Sequence, residues 1–167
     1  YVGGKAHLLE TLLEVIPNDI DVYFEPFVGG ATVALNVMVN KRVKTFYLND
    51  INASLIELYK VIQDTNQLPK LIEQLEIIKT QYETAELKPK TFRQKYELNN
   101  VSVEDAINLG KAYVYYFFRQ EFNQLKGEAV SDVERIRQSA LFIFLNKTGF
   151  RGMYRENSKG LFNIPFG

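Results

Sequence analysis

Two short strand-like runs, each followed by a helical segment, set the strongest constraint on the fold of this chain. The sequence DVYFEPF at 21–27 precedes the helical segment ATVALNVMVN, and Val43 to Leu48 precede the helical segment ASLIELYKVIQ. An earlier segment, AHLLETLLEVI, has leucines at helical spacing and ends at Pro17. Strands that alternate with helices in this order form parallel sheets with crossover helices. We therefore predict an α/β fold in which the first strand is buried.

After these elements the strand pattern is lost and three helical segments follow. The first, QLPKLIEQLEIIKTQY, has its apolar residues in one stripe, and the second, SVEDAINLGKAYVYYFFRQEFN, begins at a cap formed by Ser102 and Asp105. The third, SDVERIRQSALFIFLNK, begins at a capping box of Ser131 and Glu134 and ends at Gly149. The apolar stripe of this third helix consists of Val133, Ile136, Ala140 and Phe144.

Composition narrows the class of protein. Apolar residues make up 46% of the chain, which is enough for a packed core, and there is no cysteine, so disulfides and thiolate metal sites are excluded. No apolar run approaches the roughly 20 residues of a membrane helix, and no signal peptide is visible. The acidic residues are dispersed along the chain, so we expect no metal site. We expect a cytoplasmic protein without a membrane partner.

Positive charge is concentrated at the end of the chain, although the formal net charge is zero. Residues 141–167 have a net charge of +3. Their charged side chains are Lys147, Arg151, Arg155, Lys159 and the single acid Glu156. The segment FRGMYRENSKGLFNIPFG at 150–167 predicts a β-hairpin that turns through residues 157–160. Arginine on a hairpin can bind guanine in a major groove and lysine can bind phosphate, whereas the alternative is a solvated basic hairpin.

The turn after the first strand, FEPFVGGATVAL at 24–35, has a glycine pair at a helix N-terminus. This arrangement lets backbone N–H groups face a ligand, although the spacing is not the G-x-G-x-x-G of pyrophosphate-binding folds. Asp50 closes the second strand about 20 residues after Gly30, where an acidic side chain can accept hydrogen bonds from ribose hydroxyls. Two interpretations stay open: a nucleotide-binding edge, or a tight turn with Asp50 capping the helix that starts near Asn52.

Two further motifs also have two interpretations each. In YVGGK at 1–5 the glycines allow close backbone approach and Lys5 can bind a carboxylate or phosphate, whereas the alternative is a flexible entry with a solvated lysine. The aromatic run YVYYFF at 113–118 fits either a base-stacking platform or a core helix. Stacking aromatics are usually interspersed with basic residues, so we predict that this helix forms core.

Taken together, these motifs resemble the amino-terminal part of the Dam-type (D12 class) adenine-N6 DNA methyltransferases. YVGGK is similar to the family's opening cofactor motif, more often W-A-G-G-K, and FEPFVGGATVAL is similar to its E-P-F-x-G-G motif. LNDIN resembles the D-I-N of the second strand, and NKTGFRGMYRENSKGLFNIPFG resembles the target-recognition segment that ends F-N-x-P-[FY]-G. The resemblance implies a Rossmann-like half-sheet that binds S-adenosylmethionine, at 1–63. It also implies an inserted, mostly α-helical target-recognition region at 64–167, ending in the hairpin.

The resemblance implies S-adenosyl-L-methionine as the cofactor, and this ligand has no pyrophosphate that would require G-x-G-x-x-G. Asp50 would accept hydrogen bonds from its ribose hydroxyls, Lys5 would bind its carboxylate, and the glycines would let the backbone lie against it. The implied cofactor-binding residues are Tyr1, Gly3, Lys5, Phe27, Gly29 and Asp50.

The resemblance also implies double-stranded DNA as a partner. Arg155 matches the guanine-reading arginine of relatives specific for GATC, and Met153 and Pro165 match positions that lie against base edges. Arg151 stands where asparagine is usual in those relatives, at a position that helps to hold the duplex open, so the target sequence stays open with GATC as one candidate. The implied DNA-binding residues are Phe150, Arg151, Met153, Arg155, Lys159 and Pro165.

The family's catalytic motif, [DNS]-P-P-[YFW], follows the recognition region and holds a flipped adenine. The five prolines of this chain are never adjacent, so the motif is absent from it. The chain also opens on Tyr1 and not on Met. We expect a fragment, without a catalytic residue of its own, of an enzyme that moves a methyl group from S-adenosylmethionine to adenine N6. Such an enzyme can act beside a companion restriction endonuclease, and we expect no direct binding between the two.

Two other classes of protein remain as alternatives. One is a non-catalytic DNA-binding module or one chain of a split methyltransferase, which sequence-specific DNA binding without a downstream catalytic region would favour. The other is a nicotinamide-dependent oxidoreductase on the same strand-turn-helix plan, although its pyrophosphate fingerprint is missing. Titration with NAD and with S-adenosylmethionine distinguishes the oxidoreductase from the methyltransferase.

Overall fold

The computed structural model describes residues 8–88, 98, 100–126 and 131–167. The helices in these ranges are α1 (Leu9–Val15), α2 (Thr32–Asn40), α3 (Ala53–Gln63), α4 (Leu68–Thr84), α5 (Val103–Leu109), α6 (Lys111–Leu125) and α7 (Asp132–Thr148). The strands are β1 (Asp19–Glu25) and β2 (Arg42–Leu48), and a short 3-10 helix covers Phe150–Gly152. None of the described helices is long and apolar enough to span a bilayer.

The chain divides into two compact units, Tyr1–Ile56 and Glu57–Gly167, and the division falls within α3. The assignment of cofactor binding to 1–63 and of DNA recognition to 64–167 stays a prediction.

The first unit contains a parallel pair of strands, which confirms the predicted mixed α/β class. β1 and β2 pair in register from Asp19 opposite Arg42 to Glu25 opposite Leu48, and α2 provides the crossover that parallel pairing requires. β1 begins at Asp19 and ends at Glu25, so both ends lie two residues before those of the predicted strand. At its start the Arg42 guanidinium binds the Asp19 carboxylate at 2.5 Å across the pair. The hydrogen bonds from Arg42 also lower the pKa of Asp19 from its ordinary value.

The prediction that the first strand is buried is wrong. None of the seven residues of β1 is buried, and Phe24 is 68% exposed. Its ring stacks on that of Tyr47, the cross-strand neighbour, with centroids 4.9 Å apart and planes 12° from parallel. Within the described residues β1 pairs only with β2, so stacking between neighbouring side chains replaces burial on this face of the sheet.

The second unit is a helical assembly of α4 to α7 around an aromatic core, as the run at 113–118 predicted. In α6, Val114, Tyr115 and Phe118 are fully buried. Phe118 meets Phe144 of α7 edge to face, with ring centroids 5.2 Å apart. Both predicted capping boxes are present, Ser102 with Asp105 at α5 and Ser131 with Glu134 at α7. Hydrogen bonds from each serine lower the pKa of the paired carboxylate.

Two details of the helical region differ from prediction. The segment from Ser102 is two helices, α5 and α6, because Gly110 adopts φ 114° and ψ 171° and the Lys111 N–H donates to Glu86 O at 2.9 Å. This bond to a loop carbonyl replaces the bond that a continuous helix would make. Val133 is 77% exposed, because it lies in the first turn of α7 whereas burial along that helix begins at Ile136.

The terminal segment turns where predicted. The Asn157 N–H donates to Leu161 O at 2.9 Å, and the Gly160 N–H donates to Asn157 O at 2.9 Å. The two arms meet at isolated antiparallel bridges, one between Gly149 and Phe166 and one between Glu156 and Phe162, without a continuous ladder. We call residues 150–167 the recognition hairpin, after the DNA-reading role that the sequence predicts for them.

Candidate functional site

The carboxyl ends of β1 and β2 form one edge of the first unit. The Asn49 N–H donates to Glu25 O at 2.9 Å, and the Val28 N–H donates to Asn49 O at 2.8 Å. These bonds continue the strand pairing beyond the strands themselves. They hold the turn of residues 26–31 against the residue that precedes Asp50.

Asp50 joins this turn to the start of α3. Its Oδ2 accepts the backbone N–H of Gly29 at 3.0 Å, and its Oδ1 accepts the N–H of Asn52 at 2.9 Å. The helix cap itself is Asn52, whose Oδ1 accepts the Leu55 N–H at 3.3 Å. A carboxylate has about four acceptor positions, so Asp50 keeps capacity for two more donors. The carboxylate therefore organises the turn and still has the chemistry to bind two hydroxyls.

The turn has a left-handed backbone at two places. Gly29 has φ 48°, and Ala31, which precedes α2, has φ 55°. An L-residue with a side chain adopts this conformation at a cost of about 1–2 kcal/mol, and such strain often accompanies ligand sites. No side chain caps α2 at Ala31, so the N–H groups of its first turn are available to an acceptor.

Large apolar side chains project beside this edge. Phe27 is 83% exposed and Ile51, next to Asp50, is 97% exposed. Exposed apolar groups next to a carboxylate suit a ligand with both a flat ring and hydroxyls. Sequence reasoning singled out Phe27 and missed Ile51, although an isoleucine directly after the acidic residue of LNDIN was a visible signal.

Two buried or half-buried polar groups lie at the same edge. The Tyr23 hydroxyl donates to Glu25 Oε2 at 2.8 Å, and partial burial, with the bond to Glu25, raises the pKa of Tyr23 to about 12. The Nδ2 of Asn52 is buried and has no hydrogen-bond acceptor among the described residues. A ligand or a residue outside the described ranges would satisfy that donor.

Three of the predicted cofactor-binding residues, Tyr1, Gly3 and Lys5, lie outside the described residues, and their role stays a prediction. The other three, Phe27, Gly29 and Asp50, lie together at the strand edge of the first unit. Around this edge and elsewhere, the described part of the chain contains no group of three or more potential metal ligands.

The recognition hairpin is held by side chains of α6. The Asn123 side chain both donates to Phe162 O at 3.0 Å and accepts the Phe162 N–H at 2.8 Å. The Tyr115 hydroxyl and the Arg119 guanidinium donate to Ile164 O at 2.9 and 3.0 Å. One arm of the hairpin is therefore fixed to a helix through its own backbone.

The single acid of the hairpin is paired with a lysine. Glu156 is bonded by Lys126, the residue that follows α6, and by the Tyr154 hydroxyl, and Lys126 also donates to Gly160 O at 2.7 Å. Partial burial acts to raise the pKa of Glu156, but the bonds from Lys126 and Tyr154 outweigh it and lower the pKa. Since this carboxylate is neutralised by Lys126, the outer face of the hairpin keeps its positive charge.

The predicted DNA-binding residues have different degrees of exposure. Arg155 and Lys159 are exposed, and the Arg155 Nε donates to Asn163 Oδ1 at 2.9 Å. Pro165 and Phe150 are also exposed, whereas Met153 is half-buried. Asn163 was not among the residues singled out from the sequence, although it lies within the matched F-N-x-P segment.

Arg151 has an uncommon conformation for its type. Its φ is 55°, in the left-handed region, and its guanidinium lies 5.1 Å from the centroid of the Phe150 ring. Asparagine adopts this region more readily than arginine. The left-handed backbone is therefore a physical reason why asparagine suits this position better than arginine.

Comparison with known proteins identifies the family of this chain. The profile of the D12 class N6 adenine-specific DNA methyltransferase family matches residues 1–167. The chain is similar to the type II methyltransferase M.MjaIII of Methanocaldococcus jannaschii, with 33% identity. The alignment covers the whole of this chain and 50% of the relative. It is also similar to the DNA adenine methylase of Haemophilus influenzae, with 30% identity over 45% of that protein. The DNA adenine methylase of Escherichia coli K12 is 29% identical over 46% of its length. The chain spans about half the length of these curated relatives. It belongs to the D12 class N6 adenine-specific DNA methyltransferase family.

Proposed function

We propose that this chain binds S-adenosylmethionine and double-stranded DNA as part of a site-specific adenine-N6 methyltransferase. The observation that supports it most is the Asp50 carboxylate bound to the Gly29 N–H at the edge of two parallel strands, in a chain of this family. Ligands of open parallel sheets bind at the carboxyl ends of the strands. We assign cofactor binding to a Rossmann-like part at 1–63 and DNA recognition to 64–167.

The residues of the strand edge fit the proposed cofactor. S-adenosylmethionine supplies an electrophilic methyl group when it is bound. The two free acceptor positions of Asp50 match the two ribose hydroxyls, and Phe27 and Ile51 offer apolar surface to the adenine ring. Gly29 lets the backbone lie close to the ligand, and Lys5 with Tyr1 and Gly3 completes the proposed set.

The recognition hairpin fits the major groove of duplex DNA. Arg155 is proposed to read a guanine and Lys159 to bind a phosphate, with Met153 and Pro165 against base edges and Phe150 beside them. The names of the relatives support adenine as the methylated base. GATC is the first candidate site to test. Other sites are tested beside it, because Arg151 stands where asparagine is usual in the relatives that are specific for GATC.

The transfer step belongs to the proposal for the whole protein. No catalytic residue is proposed among these 167 residues, because no two prolines are adjacent in them and the [DNS]-P-P-[YFW] motif is therefore missing. A DNA-binding module or one chain of a split methyltransferase remains the second candidate. A companion endonuclease is supported by the similarity to a type II methyltransferase.

Titration calorimetry of the purified chain with S-adenosylmethionine and, separately, with NAD tests the cofactor. We expect heat of binding with S-adenosylmethionine and none with NAD, and binding of NAD alone would overturn the proposal. A methyl-transfer assay on duplex DNA then distinguishes an active enzyme from a binding module. Sequence-specific binding without transfer would favour the second candidate.

A further inference from the structure

Arg155 and Asn163 form a closely bonded pair on the outer face of the recognition hairpin. They lie next to the antiparallel bridge of Glu156 and Phe162, on opposite arms. The Asn163 backbone N–H donates to Arg155 O at 3.0 Å, and the Arg155 Nε donates to Asn163 Oδ1 at 2.9 Å. One backbone bond and one side-chain bond therefore link the same two residues.

The side-chain bond uses one particular edge of the guanidinium. Arginine has five N–H donors in a rigid fork, one on Nε and four on the two terminal nitrogens. With Nε bonded to Asn163, the two terminal nitrogens of Arg155 have no hydrogen-bond partner among the described residues. A bidentate contact to guanine needs two parallel donors, and the terminal nitrogens supply such a pair.

Asn163 is itself fixed on both sides. Phe162 and Ile164, its chain neighbours, are 2% and 0% exposed, and Asn123, Tyr115 and Arg119 of α6 bond to their backbones. The Asn163 backbone is thus held by the helical core through both neighbours. A side chain that is ordered before binding loses less conformational entropy when its partner arrives.

We infer that Asn163 is a positioning residue for Arg155: it holds the Nε edge of the guanidinium so that both terminal nitrogens are presented together to one guanine. This inference rests on the proposed function of the hairpin in reading duplex DNA. It predicts that Asn163 acts on sequence discrimination through Arg155 and not on cofactor binding.

The test measures discrimination and not affinity alone. The wild-type chain first selects its preferred duplex from a pool randomised at the centre, and each variant is then titrated with that duplex and with copies in which each guanine pair is replaced in turn. Asn163→Leu, similar in size but without an acceptor, should reduce the discrimination ratio at one guanine about 2- to 10-fold. Asn163→Asp keeps the acceptor and should retain the ratio, while its charge weakens binding to all duplexes alike.

A double variant decides whether Asn163 acts through Arg155. If it does, Arg155→Ala with Asn163→Leu should discriminate no worse than Arg155→Ala alone, because the two changes remove one shared contact. Additive losses, or an Asn163→Leu chain that binds all duplexes more weakly at an unchanged ratio, would overturn the inference. Unchanged S-adenosylmethionine affinity and melting temperature in the variants show that the fold is intact. If the Leu variant unfolds, Asn163→Ala, which also removes the acceptor, takes its place with the same expected loss of discrimination.

The same experiment separates failure of this inference from failure of the proposed function. If the wild-type chain prefers no duplex, or if Arg155→Ala keeps full discrimination, the hairpin does not read guanine through Arg155 and both proposals are overturned. If Arg155→Ala loses discrimination while Asn163→Leu keeps it, the DNA-reading function stands and the positioning role of Asn163 is overturned alone.

Discussion

The Asp50 carboxylate accepts the backbone N–H of Gly29 at 3.0 Å and thereby joins the end of β2 to the turn after β1. Its second oxygen accepts the N–H of Asn52, just before α3. Three segments of the first unit thus meet at one side chain. The same geometry gives Asp50 a structural role and leaves room for the proposed ligand-binding role, because only half of the acceptor capacity of the carboxylate is used.

Replacing Asp50 should therefore impair cofactor binding strongly. Asp50→Ala removes two proposed hydrogen bonds from ribose hydroxyls to a charged acceptor, each worth about 1.5–3 kcal/mol, so the affinity for S-adenosylmethionine should fall about a hundredfold or more. Titration calorimetry measures this directly. Asp21→Ala is the matched control, since Asp21 is an exposed carboxylate of β1 that pairs with Lys44 away from the turn. Equal affinity in Asp50→Ala and wild type would remove Asp50 from the site.

Arg155 and Lys159 should differ in how their loss changes DNA binding. Arg155→Ala should cost about 1–3 kcal/mol at one base pair and relax the preference there. Lys159→Ala should weaken binding to all duplexes alike. It should also reduce the slope of log affinity against log salt concentration by about one, because one counterion fewer is released. Fluorescence anisotropy over a range of salt concentrations distinguishes the two. If Arg155→Ala lost the same affinity for every duplex, that result would contradict base reading by this side chain.

The left-handed backbone at Arg151 predicts a stability difference between two replacements. Arg151→Asn and Arg151→Ala both remove the contact with the Phe150 ring, but asparagine tolerates φ 55° better. The Asn variant should be more stable than the Ala variant by about 0.5–1 kcal/mol in chemical denaturation. The same pair of replacements at the exposed Lys147 of α7, where φ is not positive, is the control, and there alanine should be the more stable because it has the higher helix propensity.

The ion pair of Glu156 with Lys126 predicts a pH dependence. Because the pKa of Glu156 is lowered in the folded chain, its contribution to stability is present above the ordinary value of 4.5 and is lost as pH falls through the lowered value. Glu156→Gln should therefore be less stable than wild type at neutral pH, and the difference should shrink in acid. Denaturant midpoints as a function of pH measure it, with Glu83→Gln, on the exposed side of α4, as control. A pH-independent difference would show that the charge of Glu156 is not responsible.

Two glycines with positive φ should respond differently to alanine. Gly110, with φ 114° and ψ 171°, lies in a region that is essentially restricted to glycine, and an added Cβ would lie 2.9 Å from Glu86 O. Gly110→Ala should cost about 3 kcal/mol or more. Gly160 has φ 72° and its nearest atom would be 3.8 Å away, so Gly160→Ala should cost about 1–2 kcal/mol. Thermal melts compare the two, and equal costs would contradict the crowding at Gly110.

Features that depend on nearby residues were the ones that sequence patterns predicted. The bounds of α3, both capping boxes and the turn through 157–160 follow from spacings of a few residues. The break at Gly110 could not be predicted in this way, because the acceptor of the Lys111 N–H is Glu86, on a loop well before it in the chain. The exposure of β1 also depends on what neighbours the sheet has, which a run of apolar residues does not specify.

The candidate site shows the same division. The order of strand, glycine turn and acidic residue, and the basic hairpin with its F-N-x-P segment, are properties of the chain alone, because periodicity, turn chemistry and charge are local. Three relationships came only from the fold: Asp50 bonded to Gly29, Glu156 paired with Lys126, and Asn163 bonded to Arg155. Each joins residues from different segments, and the register and packing of those segments decide which donor reaches which acceptor.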